Sequence, residues 1–124
     1  MAYLDLFEGW PDTETFEPQA IIYSEDEPAD CLFVILEGEV DLTYHGDSLG
    51  IERRGGLIGE MAVLDTAVRG TTAMALTPVK AARLSRARFK ECIDLDSEFA
   101  FHAMATLANR LRAADRFIRR KTEN

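Results

Sequence analysis

At 124 residues the chain is long enough for one hydrophobic core and too short for two, and its 47% hydrophobic and 29% charged content is that of a folded globular domain. No apolar run approaches the ~18 residues of a membrane span. The opening MAYLDLFEGW lacks the basic region and cleavage site of a secretory signal, so a cytoplasmic location without membrane association is expected. The net charge of −8 is uneven: residues 1–108 carry eight basic and twenty acidic side chains, residues 109–124 six and two. The acidic body would repel a nucleic-acid backbone, so this chain alone is not expected to bind DNA. The basic end suits the negative pole of a helix C-terminus and is read as a solvated face.

In chain order, YLDLF starts a short amphipathic helix that Gly9 and Pro11 stop. Six short runs rich in β-branched, aliphatic and aromatic residues follow: AIIY (20–23), CLFVILEG (31–38), EVDLTY (39–44), LGIE (49–52), TTAMAL (71–76) and VKAARLS (79–85). Turn signals such as EDEPAD, HGDS, RRGG and TP separate them, a spacing that indicates an antiparallel sandwich or barrel. After Ser85 the pattern becomes helical. Ser85 is the expected N-cap of RARFKECID, and Asp96 or Ser97 that of the long segment behind it. There Ala100, Met104, Leu107, Leu111, Ala114 and Ile118 fall at spacings of 4, 3, 4, 3 and 4, a heptad seam on a helix of about 22 residues. That seam must be buried, against the β-structure or against a second copy.

Cys31 and Cys92 read as two reduced core thiols, and no clustered Cys/His spacing suggests a metal. His45 and His102 read as structural or solvated. No Ser/His/Asp or paired-carboxylate arrangement offers itself, so catalysis is not expected.

The stretch GGLIGEMAVLDTAVRGTTA (55–73) carries the binding chemistry. Gly55, Gly56 and Gly59 permit backbone shapes and close approaches that a Cβ would forbid. EMAVL forms a turn or two of helix whose free amides suit an anionic oxygen, with Met61 and Leu64 expected to pack on the β-structure. Arg69 supplies a fixed cation with a planar fork of donors, and Gly70 lets an amide approach the same anion. Glu60 would repel a phosphate but accept from a hydroxyl. Anion donors beside a hydroxyl acceptor suggest a ligand in which phosphate and sugar lie close together. The bland alternative is a structural Arg69–Glu60 ion pair in an empty barrel.

This stretch resembles the phosphate-binding cassette of the cyclic-nucleotide-binding domains, the superfamily of catabolite-activator-like and protein kinase A regulatory-subunit-like proteins. EDEPADCLFVILEGEVDL (25–42) is similar to the hairpin that precedes the cassette in that family, and SRARFKECI with the long helix to its B and C helices. The resemblance implies a single domain over 1–124, mainly β with flanking α. Its architecture would be an antiparallel β-roll (a double-stranded, jelly-roll-like β-helix) of about eight strands over about 14–85, with a short N-terminal helix and C-terminal helices over about 86–121. It further implies phosphate contacts from Arg69, Gly70 and a hydroxyl of Thr71 or Thr72, and ribose contacts from Glu60 and Gly59.

Several positions depart from the family pattern. Gln19 and Asp26 stand where turn glycines are usual, and Gly56 where many members carry Asp. In the bacterial activators, hydroxyls of the C helix close over the purine; the matching positions here are Ala114 and Asp115, which leaves Asp115 as the base contact. Many cGMP-selective members place Thr directly after the phosphate arginine, and here that residue is Gly70, which favours cAMP with cGMP as the alternative. The chain stops at Asn124, where the activators continue into a helix-turn-helix. The reading is therefore a stand-alone sensor, a homodimer through the C-terminal helix or a domain acting on an effector protein. The alternatives are a ligand-independent interaction module and a regulatory fragment of a transcription factor lacking its DNA-binding domain.

Overall fold

A computed structural model of the chain describes residues 2–123; Met1 and Asn124 of the expected 1–124 domain lie outside them. A 3₁₀ helix, Ala2–Phe7, opens the chain. The strands are β1 (Thr13–Phe16), β2 (Ile21–Tyr23), β3 (Cys31–Glu37), β4 (Val40–Tyr44), β5 (Asp47–Glu52), β6 (Leu57–Ile58), β7 (Thr72–Ala75) and β8 (Val79–Ser85). Two helices follow, α1 (Arg86–Leu95) and α2 (Ser97–Glu123). The strands form two antiparallel four-stranded sheets, ordered β1-β8-β3-β6 and β2-β7-β4-β5, and fold as a β-roll. β1 and β6 are the strands without their own sequence run above: β1 is TETF, and β6 is only two residues inside the glycine-rich stretch.

The inner faces of the two sheets meet in a core of Phe33, Ile35, Val40, Leu42, Ile58 and Val79, closed by alanines at 73, 75 and 81. Burial of apolar area at about 25 cal/mol/Å² drives this packing. A second cluster caps the first sheet. There Tyr3 and Phe7 of the 3₁₀ helix, Phe89 of α1 and Phe99 of α2 surround Leu32, Val34 and Leu84. Cys31 and Cys92 are free and buried. Among the described residues no helix is long and apolar enough to cross a membrane.

The two turn positions that lack their glycine keep the glycine geometry: φ is 71° at Gln19 and 68° at Asp26. A left-handed non-glycine residue costs roughly 1–2 kcal/mol, which the surrounding hydrogen bonds offset. Gln19 N donates to Ala75 O at 2.6 Å and Asp26 N to Arg69 O at 2.8 Å.

Ser85 caps α1, accepting from Arg88 N at 3.2 Å, and Asp96 caps α2, its Oδ1 accepting from Glu98 N and Phe99 N. Up to Leu111 the heptad seam is not the face that α2 turns to its own roll, although Ala114 and Ile118 further on line a cavity there. That face is one residue away, at Phe99, Ala103, Thr106 and Arg110. Met104, Leu111 and Ile118 of the seam stay 60%, 70% and 59% exposed.

Candidate functional site

The cassette is built where β6 leaves the first sheet and the chain returns as β7 in the second. After Gly59 and Glu60 comes one π-type turn, Ala62–Thr66, ended by Ala67 at φ 55° with its N–H on Ala62 O at 2.8 Å. Among the described side chains of this turn, Ala62 and Val63 point inward. Met61 and Leu64, expected against the roll, are instead 46% and 41% exposed, and Met61 lies at the pocket mouth. The loop between β2 and β3 then pins the backbone at Arg69. Asp26 N donates to Arg69 O, Arg69 N donates to Glu27 O at 2.9 Å, and Ala29 N donates to Ala67 O at 2.9 Å.

Arg69 is 5% exposed. Its Nη1 donates to the carbonyls of Cys31 (2.7 Å) and Gly59 (3.3 Å), and Nη2 lies 3.5 Å from Cys31 Sγ. The Tyr23 ring lies under the guanidinium, with its centroid 4.2 Å from Cζ. Among the described residues no carboxylate comes within 4.0 Å of this cation. A buried charge is costly unless paired, and carbonyl dipoles and a ring face compensate only part of that cost. The closeness explains Gly59. Its φ is 79°, and a Cβ there would collide with Arg69 Nη1. Gly70, in contrast, has open space where a Cβ would stand.

Glu60, 2% exposed, does not pair with Arg69. Its partner is Arg110 of α2, with Nε 3.3 Å from Glu60 Oε1. Arg110 also donates from Nη1 to Glu52 Oε1 at 2.9 Å and from Nη2 to Leu57 O at 2.8 Å. Burial pushes the Glu60 carboxyl above the usual carboxylate range, and Arg110 is the chief influence pulling it back. Arg110 was missed in the sequence because it opens the basic run read as a solvated tail. The available signal was its register: it continues the 99, 103, 106 spacing of the inward face.

These groups share a cavity of about 430 Å³. Gly59, Glu60, Arg69, Gly70 and Thr71 line its polar end, and Leu42, Tyr44, Leu49 and Val68 with Ala114, Phe117 and Ile118 of α2 line its apolar end. Two sequence candidates lie outside this lining. Thr72 accepts at Oγ1 from Glu25 N (3.1 Å), tying β7 to the β2–β3 loop. Asp115 is exposed and paired with Arg119 at 3.2 Å. His102 is structural, with Nε2 2.7 Å from Gly55 O and its ring stacked on Tyr3. Among the described residues no cluster of three or more His, Cys, Asp or Glu could hold a metal.

The buried cation, the buried carboxylate and the cavity that α2 helps to line all belong to one β-roll. The chain belongs to the cyclic nucleotide-binding domain family, whose model matches residues 13–96. It is 39% identical over 69 residues (56% of this chain, 9% of the relative) to the cGMP-dependent protein kinase egl-4 of Caenorhabditis briggsae. It is 32% identical over 85 residues (66% of this chain, 22% of the relative) to a cAMP-dependent protein kinase regulatory subunit of Colletotrichum orbiculare. The crystal structure of Thermus thermophilus catabolite activator protein superposes with a TM-score of 0.76 at 25% identity, over 98% of this chain and 59% of that one. The chain thus spans a tenth to a fifth of the length of these curated relatives.

Proposed function

We propose that this chain is a sensor domain that reversibly binds a cyclic purine nucleotide, cAMP before cGMP, in the cavity beneath α2. The observation that carries the reading is Arg69, a buried guanidinium with no carboxylate within 4.0 Å among the described residues, in the same cavity wall as the buried Glu60. In this reading Arg69, the Gly70 amide and the Thr71 hydroxyl take the cyclic phosphate. Glu60 and the Gly59 backbone take the ribose hydroxyl, and the apolar end takes the base. An anion at Arg69 supplies the missing countercharge, and a hydroxyl at Glu60 competes with Arg110 for the carboxylate. Binding would thereby shift the equilibrium position of the cassette and of α2. The role is regulatory, and the effector is a protein that responds to α2 or a second copy docked on its exposed Met104 and Leu111.

Titration with cAMP and cGMP, read by melting temperature, tests this, because a ligand specific for the native state raises it: about 2.7 kcal/mol at a hundred times Kd. Arg69→Ala and Arg69→Glu should lose the shift while staying folded. Glu60→Ala should weaken binding by about 1–3 kcal/mol, the worth of a charged hydrogen bond. No shift with either nucleotide would overturn the reading and favour a ligand-independent interaction module.

A further inference from the structure

Arg69 is held, in a place where a carboxylate would be the ordinary partner, by an aromatic ring. Tyr23 ends β2 and is 5% exposed. Its ring faces the guanidinium at 4.2 Å, and both residues line the cavity. From the geometry we infer that Tyr23 is a positioning residue for the anion site: its ring face holds Arg69 in place without neutralising it.

The physical case rests on what the alternatives would do. A carboxylate under Arg69 would stabilise the cation but would have to be displaced or overcome by an incoming anion. The quadrupole of a ring attracts a desolvated cation and leaves its net charge intact. The N–H groups in the guanidinium plane stay available. Among the described residues, the partner of Nη2 is only the weakly accepting Cys31 Sγ. Burial pushes the Tyr23 phenol up to about 12, so the ring stays neutral at any working pH.

The inference rests on the proposed cyclic-nucleotide site, and two measurements separate its failure from that of the site. In calorimetry with cAMP, Tyr23→Leu should weaken binding about tenfold. Tyr23→Phe, which keeps the ring, should bind within about twofold of wild type. A folded Tyr23→Leu variant that binds within twofold of wild type, or a Tyr23→Phe variant as weak as Tyr23→Leu, would overturn the assignment. In ligand-free protein, Tyr23→Leu should lower the melting temperature by about 4 °C more beside Arg69 than in an Arg69→Met background. Equal losses in the two backgrounds would overturn it even if wild type bound no cyclic nucleotide. If Tyr23→Leu fails to fold, Tyr23→Met carries the same two measurements.

Discussion

The two halves of α2 hold to the molecule by different forces. From Ser97 to Thr106 the helix is part of the core: Phe99 is fully buried among Tyr3, Phe7 and Phe89, and Ala103 and Thr106 lie beneath it. From Leu107 onward it is fastened at points. Arg110 reaches Glu60, Glu52 and Leu57, Phe117 meets Tyr44 edge to face at 5.4 Å, and Lys121 lies 3.4 Å from Asp47. The first half cannot leave without opening the core. The second lines the cavity and is held by polar contacts, one of which runs through a carboxylate that a ligand would also use. One helix can thus be anchored at its start and responsive along the rest.

Substitutions along the helix should separate the halves. The largest effect is expected at the anchor: Phe99→Ala should lower unfolding free energy by about 3–5 kcal/mol in urea melts, independent of any nucleotide. Arg110→Ala should come next, costing about 1–3 kcal/mol at neutral pH because Glu60 is left buried without its partner. That cost has a pH signature. The Glu60 pKa is raised in the fold, so folding favours its protonated form more than the unfolded chain does; its contribution is greatest below the ordinary carboxylate pKa and is lost as pH rises through the raised value. The Arg110→Ala deficit should therefore shrink as pH falls, whereas the Phe99→Ala deficit should not. A pH-independent Arg110→Ala deficit would contradict the pairing.

The smallest effects belong to the exposed side of the second half. Lys121→Ala breaks a solvent-screened pair and should cost under about 1 kcal/mol. Leu111→Ala should stay within about 0.5 kcal/mol in a monomer. A larger, concentration-dependent cost at Leu111, with matching sedimentation, would show that a second copy covers the stripe.

The same division describes what could be read in the sequence. β3, β4 and β8 were legible because their apolar runs are bounded by strong turn signals. The Ser85 and Asp96 caps were legible because capping is local chemistry. Glu60, Arg69 and Thr71 were legible as a group because a few adjacent residues build the cassette. β6 was not, since two residues carry no period. The packing register of α2 was also hidden, because both stripes are apolar: Phe99, Ala103 and Phe117 turn inward while Met104 and Leu111 face out. Only the tertiary arrangement sets the register, which brings Arg110 to Glu60 and, further on, Ile118 to the cavity. Gln19 and Asp26 likewise conceal left-handed turns that glycine would have announced.

The central claim is that Arg69 is held ready for the phosphate of a cyclic nucleotide. Isothermal calorimetry of cAMP into wild type and Arg69→Ala tests it most directly. The account predicts saturable one-site binding to wild type and none to a folded Arg69→Ala variant. Equal affinity in the two proteins would contradict it.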